Sequence, residues 1–414
     1  MRAGLGARMP AVLRDEPQFR LLFWGQALSL IGDRITFVAM PFAVLAIGGG
    51  AADVGLVAGA QTLPFLVFSL AAGVWADRFD RRRIMIASDL VRLACQALAG
   101  TLLLAGSPEP WHLALIGLAY GTGDAFFGPA MIGLLPQVVS PAHLQAANAL
   151  RGMTMSLGLV LGPVAAGVLV ATIGPGGALL ADSLTFAVSV VFLARLRPAV
   201  AERADLAAPG FLAGLRGGWR EVRSRSWVSA MLFGLAVYHV VVLPSVFVLG
   251  PVLADADYGG AADWALVTAG FGVGSLAGQL LLLRWRPRRA VLASATLLIG
   301  ASCQAAIIGS GLPIGAIAAL EAVAAVCVTG FFTLWETSIQ EQIPQGAVSR
   351  VASYDLFVAV GFLPLGAALA GPVSEAVGLQ PTLVGMSVIG VAAALAILCV
   401  PSVRTLRRPP AVLP

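Results

Sequence analysis

Residues 73–83 read Gly73-Val74-Trp75-Ala76-Asp77-Arg78-Phe79-Asp80-Arg81-Arg82-Arg83. An uncharged apolar run over 54–75 ends in this stretch, where arginine and aspartate crowd together, and a second apolar run, 84–105, follows it. A bilayer span needs roughly 20 mostly apolar residues, and basic residues collect in the loops that are not translocated. The stretch therefore reads as a short loop joining two membrane helices on the positively charged side.

The rest of the chain repeats that pattern. Of 414 residues, 58% are hydrophobic and 11% charged, against ~25% charged in soluble domains. Too little polar surface is available to cover a water-soluble globule. Apolar runs broken at glycine, proline and charge place twelve spans: 20–47, 54–75, 84–105, 112–135, 146–172, 178–196, 227–251, 263–284, 290–309, 313–339, 350–374 and 380–402. The first twenty residues are charged and hold Pro10 and Pro17, so the first run is expected to be a span and not a cleaved leader.

All 26 basic residues are arginine. Without lysine there is no Walker A phosphate loop and no lysine Schiff base, which excludes a P-loop ATPase and pyridoxal-phosphate chemistry. Only Arg34 and Arg92 fall deep inside spans; every other arginine lies in alternate connections or within about six residues of them, beginning with the amino end. An even number of spans and both termini in the cytoplasm follow from the positive-inside rule. Anionic lipid at the basic face accounts for the net charge of +5 without a nucleic-acid partner. Cys95, Cys303, Cys327 and Cys399 sit in apolar runs and read as small hydrophobes. No metal-ligand cluster and no cofactor motif is present in the sequence.

The loop 198–226, with Pro198 and Pro209, divides the chain into 1–197 and 227–414, and a surface helix is expected at Phe211–Val222. The halves echo each other at offsets of about 204 to 210, in Gly55–Arg83 against Ala265–Arg289 and in Gly162 and Gly167 against Gly366 and Gly371. Both halves run in the same direction, as a parallel duplication does.

The loop with Gly73, Asp77, Arg78 and Arg81 resembles the signature between the second and third helices of the major facilitator superfamily, departing from it at Asp80 where glycine is usual. The resemblance covers nearly the whole chain. It implies an all-α polytopic fold of twelve transmembrane helices in two pseudo-symmetric six-helix bundles. It also implies that the loop acts as a latch, with Asp77 at the N-terminus of span eleven near Arg350–Tyr354. Gly158, Gly162, Pro163 and Gly167 in span five are similar to the Gly-Pro motif of the family's proton-coupled antiporters; as plain chemistry they are a small-residue packing face with a proline kink. Phe126-Phe127-Gly128-Pro129 and Phe23-Trp24-Gly25-Gln26 look like the branch of enterobactin exporters and macrolide-efflux proteins.

Charge inside a bilayer is costly and marks function. Asp33, Arg34, Asp124, His239, Glu321 and Glu336 lie in spans one, four, seven and ten, which line the central cavity in that family. Adjacent residues stand ~100° apart on a helix, so Arg34 is expected to pair with Asp124, leaving Asp33, Asp124 and Glu321 as candidates for proton coupling. A carboxylate moved into a drier cavity takes up a proton more readily. Glu336 reads as a gate partner, and Asp89 and Arg92 as an i,i+3 pair. Asp182 is expected to reach water at the end of span six. Phe37, Phe126, Phe127, Tyr238, His239, Phe331, Phe332 and Trp335 are expected to shape a pocket for a lipophilic molecule. The whole reads as a secondary transporter, functional as a monomer in the inner membrane. It would export a drug, macrolide or siderophore in exchange for protons or another coupling cation. The rivals are a metabolite symporter or facilitator of the same fold, and a receptor or enzyme. No HExxH or GxSxG motif favours an enzyme.

Overall fold

The structure is a computed structural model that describes residues 10–106, 108–198 and 219–408, without the side chains of 69–78, 345–347, 349–350 and 352–353. Among the described residues every regular element is helical. The long helices are α1 (Pro17–Ala46), α2 (Ala51–Arg78), α3 (Arg81–Ala105) and α4 (Pro110–Val138), and then one 52-residue helical stretch, Leu144–Arg195. At 1.5 Å per residue that stretch is far longer than a bilayer is thick. Gly174 breaks it with φ 74° and ψ 169°, a left-handed conformation that glycine adopts without a Cβ penalty. The two pieces, 144–173 and 175–195, are α5 and α6. There follow α7 (Ser226–Asp257), α8 (Ala261–Arg284), α9 (Ala290–Ile308), α10 (Ile314–Gln342), α11 (Tyr354–Val377) and α12 (Leu379–Leu398).

Ten helical segments among the described residues are long and apolar enough to cross a membrane, Pro141–Arg195 counting as one. The 29-residue α4 is not among them; it carries Asp124 and two internal prolines. Leu184, Leu283 and Val388 are 67%, 72% and 62% exposed on helix faces. Apolar surface of that extent on so many helices needs lipid as its solvent. The protein is a multi-pass membrane protein.

The chain forms two compact units, 1–47 with 60–205, and 48–59 with 206–414. The expected linker 198–226 falls largely outside the described residues, as does most of the expected surface helix at Phe211–Val222; residues 219–224 are helical. In the first unit Phe19, Leu22, Met85, Leu134, Val138 and Leu193 make an apolar core. At its edge Glu16 accepts a hydrogen bond from the Ser140 hydroxyl at 2.5 Å, which holds the Glu16 carboxyl below its ordinary range. In the second unit the core gathers Trp227, Met231, Tyr238, Leu298, Phe331, Trp335 and Ile397. The first turns of α2 belong to this second unit. Gly59 approaches the Pro364 carbonyl, Gly371 lies on Ala51 and Ala52, and Glu375 Oε1 accepts from the Ala52 N–H at 2.9 Å. Small residues bring the backbones together, and a carboxylate suits a helix N-terminus.

Candidate functional site

Four helices of the first unit each carry a polar stripe at helical spacing: Gln26, Ser29, Asp33 and Thr36 on α1; Asp89, Arg92 and Gln96 on α3; Tyr120 and Asp124 on α4; Asp182, Thr185 and Ser189 on α6. Residues three and four apart share a helix face, and these faces meet inside the bundle. Arg92 stands at the meeting point. Its guanidinium lies 4.3 Å from the Phe127 ring and 4.6 Å from the Phe186 ring. The rings cover its faces, a contact worth about 2 kcal/mol when desolvated, and leave its edges for hydrogen bonds. Nη1 donates to Asp33 Oδ1 at 3.3 Å and to Asp124 Oδ1 at 3.2 Å, while Nη2 donates to Asp89.

The three carboxylates differ in surroundings. Asp89 is fully buried, and its second oxygen accepts from Ser189 Oγ at 2.5 Å, to which Gln26 Nε2 donates at 2.8 Å. Asp33 and Asp124 are 30% and 35% exposed, so both remain in reach of solvent. Tyr120 donates its hydroxyl to Asp33 at 3.1 Å. Three acids face one cation, and one of those acids is sealed while two are open.

Two expectations change here. Asp124 pairs with Arg92 and not with Arg34, because the Arg34 stem turns toward α5. Its Cβ and Cγ fill the space where Gly162 lacks a side chain, and Gly158 lies beside the same stem. The glycines of the span-five motif are thus the seat of α1. Asp182 does not reach water. It is fully buried, accepting from Thr36 Oγ1 at 2.5 Å and Gln96 Nε2 at 2.9 Å, with Thr185 Oγ1 3.1 Å from its other oxygen. Placing it near a helix end overlooked its face, since Asp182, Thr185 and Ser189 form one stripe that turns inward. The Asp89–Arg92 pair forms as the i,i+3 spacing suggests.

In the second unit α7 widens into π-helical turns at Tyr238–Val242 and Ser245–Leu249, on either side of Pro244. Such turns re-aim side chains and recur at functional sites. Tyr238 donates its hydroxyl to Gln304 Oε1 at 2.6 Å, and Gln304 Nε2 donates to Glu321 Oε2 at 2.9 Å. Glu321 is buried, and its Oε1 has no hydrogen-bond partner. His239 donates Nδ1–H to the Leu235 carbonyl at 2.9 Å. Trp335 donates Nε1–H to Asp355 at 2.6 Å and meets Trp227 edge to face. Tyr238, Phe331 and Trp335 are sealed in the core, whereas Phe37, Phe126, Phe127 and Phe332 are half-buried. Phe127 is committed to Arg92, and Phe126 stacks near Phe68 at 5.6 Å. Glu336 is exposed on α10. Among the described residues no group of His, Cys, Asp and Glu could hold a metal ion.

A family described as transmembrane secretion effector, a branch of the major facilitator superfamily, matches residues 11–408. The chain belongs to it. The multidrug efflux pump Tap of Mycolicibacterium fortuitum is 30% identical over 371 residues, covering 86% of this chain and 89% of the relative. The macrolide efflux protein A of Streptococcus pyogenes is 25% identical over 266 residues, covering 64% of this chain and 66% of the relative. Among solved structures, a bacterial homologue of the human lysosomal transporter Spinster superposes with a TM-score of 0.74 at 16% identity, over 97% of this chain and 100% of that one. Family and relatives are transporters, not enzymes.

The superfamily signature loop can now be read residue by residue. Asp80, where the family has glycine, is the N-cap of α3 and accepts from the Arg82 N–H at 3.0 Å and the Arg83 N–H at 3.4 Å. Arg81 donates to the Gly133 carbonyl at 2.9 Å. Arg82 donates to the Leu193 carbonyl at 2.7 Å and to Ala194, at the C-terminus of α6, where a cation meets the negative end of the helix dipole. The loop arginines thus tie α3 to α4 and α6. The expected latch through Gly73, Asp77 and Arg78 lies outside the described side chains, as do Arg350, Ala352 and Ser353 on the helix it would reach.

Proposed function

We propose that this protein exports a small lipophilic compound, such as a drug or macrolide, in exchange for protons by alternating access. The observation that carries the reading is the charge imbalance around Arg92, where Asp33, Asp89 and Asp124 meet a single guanidinium. A buried site with surplus carboxylate attracts a cation, and a proton is the smallest that restores balance. Asp33 and Asp124 take and release the proton, because solvent reaches them; Asp89 stays with Arg92 and Ser189. Half-buried aromatic side chains and scarce charge suit an apolar cargo, in keeping with the multidrug and macrolide pumps to which the chain is similar.

In this reading the chain crosses the inner membrane twelve times, with α4, α5 and α6 each a span and both termini cytoplasmic. The bundles are 1–197 and 227–414, joined by 198–226, and a monomer suffices. Gly73, Asp77, Arg78 and Arg81 form the cytoplasmic latch.

The test uses inverted membrane vesicles and a lipophilic cationic dye, ethidium, as probe. One pH unit is worth about 1.4 kcal/mol per proton, or roughly tenfold accumulation of cargo exchanged one for one. An acid interior is expected to drive accumulation of that order, abolished by nigericin and by Asp33→Asn or Asp124→Asn. Dye movement indifferent to the gradient, in vesicles proven to contain the protein, removes the antiport reading.

A further inference from the structure

The tripeptide Cys-Gln-Ala occurs twice, at Cys95–Ala97 in α3 and Cys303–Ala305 in α9, 208 positions apart. That offset lies within the range at which the two halves echo each other. Both glutamines are buried, and each donates Nε2–H to a buried carboxylate at 2.9 Å, Gln96 to Asp182 and Gln304 to Glu321. Each also bonds a hydroxyl from the first long helix of its half, Thr36 on α1 or Tyr238 on α7. Neither carboxylate has a cation within ion-pair distance among the described residues. The charged side chain acting on Asp182 is Asp33 of α1, of the same sign, and Tyr120 of α4, which donates to Asp33, is close enough to feel both carboxylates. For Glu321 the acting groups are Gln304 of α9 and Tyr238 of α7, both uncharged.

A sealed carboxylate with neutral partners alone is the costliest way to bury an acid, and a proton removes the cost. Two orphan atoms point the same way. Glu321 Oε1 and Gln96 Oε1 are both buried without a hydrogen-bond partner. An ionised Glu321 would leave a charged oxygen unsolvated. Beside Asp182, the free Gln96 carbonyl can accept a hydrogen bond from a protonated carboxyl once the amide turns over, while its NH2 serves the ionised form. The amide can therefore follow the proton. Gly32 leaves room for the carboxyl itself, since a side chain there would strike Asp182 Oδ1 and Thr185 Oγ1.

We propose that Asp182 and Glu321 are a matched pair of proton-binding carboxyls, one in each unit, each read by the glutamine of a repeated tripeptide. They are distinct from the Arg92 cluster. Each takes one proton onto a carboxylate oxygen, forming one O–H bond, and releases that proton when its helices part. The inference rests on the proton-coupled reading above and adds a second kind of coupling site to it, one neutralised by protonation alone and without an arginine.

Infrared difference spectroscopy of the purified, full-length protein across a pH titration tests it. A neutral buried acid gives a carbonyl stretch well above the carboxylate bands, which moves in D2O. At neutral pH the wild type is expected to show this signal, Asp182→Asn and Glu321→Gln each to remove one component, and the double variant to remove both. Replacing choline chloride with sodium chloride is expected to leave it unchanged. Absence of the signal, or a double variant whose signal equals that of the wild type, overturns the proposal, and so does its loss on adding sodium, which would make the pair a metal-cation site. Should Asp182→Asn not fold, Thr36→Val, which removes only the hydroxyl partner, is expected to shift the Asp182 component. The dye assay separates the two readings. Gradient-driven uptake that persists unchanged in the double variant defeats this inference and leaves the proposed function standing, whereas gradient-independent uptake by the wild type defeats the proposed function and with it the coupling role of the pair, even where the infrared signal shows that both carboxyls bind protons.

Discussion

A guanidinium packed against the Phe127 and Phe186 rings has left water, and here carboxylates replace hydrogen bonds it gave up. The converse holds for Asp33, Asp89 and Asp124, which would repel one another without it. Removing one partner of a buried charge network typically costs about 3–5 kcal/mol. Arg92→Leu is therefore expected to lower the thermal midpoint of the detergent-purified protein by roughly 10 °C, at 2–4 °C per kcal/mol for a unit this size. Adding Asp89→Asn should recover part of the loss, because it removes one of the repelling charges. Arg92→Lys should fall between, since an ammonium lacks the flat fork that reaches Asp124 and Asp89 at once. An unchanged midpoint in Arg92→Leu would mean the network carries no structural load. At this scale the sequence disclosed the ionisable residues but not their pairing. Arg34 and Arg92 are both mid-helix arginines, and only the rotation of α1 against α5 decides which one meets Asp124. Asp182 was legible in principle, through its stripe with Thr185 and Ser189, yet distance from a helix end was the weaker guide.

Helices here meet through what is missing from them. Gly162 has no Cβ because the Arg34 stem occupies that space, and this contact sets how closely α1 approaches α5. Overpacking a fitted core costs about 1–3 kcal/mol. Gly162→Leu is expected to keep the protein in the membrane while moving α1, and with it Asp33, out of register with Arg92. Dye transport should fall by an order of magnitude or more, as small misplacements do at coupling sites, while Gly152→Leu should be silent because nothing stands within 4 Å of that position. Equal transport in both variants would remove the seam from the mechanism. The helix inventory was legible from apolar runs, and the glycine–proline pattern marked span five. The π-helical turns of α7 were not legible, because a backbone hydrogen bond shifted by one residue leaves no trace in hydropathy. Nor was the capping role of Asp80, which family comparison alone marks as a departure and which the N–H groups of Arg82 and Arg83 explain.

Over the whole molecule the arginines carry one message that no single helix does. They alternate between connections without exception, so each span boundary checks the next. Miscounting one span would put the following arginine group on the translocated side, at a cost that the positive-inside rule makes prohibitive. Fold class was legible for that reason, even though α4 is not among the helices that qualify as spans by length and hydropathy and α5 runs into α6 with only Gly174 between them. The same logic makes the proposed orientation testable. In a background with Cys95, Cys303, Cys327 and Cys399 replaced, single cysteines at Phe79 and Trp285 flank the arginine groups, and those at Gly106 and Ser310 sit in the arginine-free turns. A membrane-impermeant maleimide applied to intact cells is expected to label positions 106 and 310 and spare 79 and 285, with the pattern reversed in inverted vesicles. Labelling of 79 and 106 from the same side would break the α3 crossing between them. Labelling of 106 and 285 with sparing of 79 and 310 would place one missing crossing between positions 106 and 285, which is how a miscounted α4 would show itself.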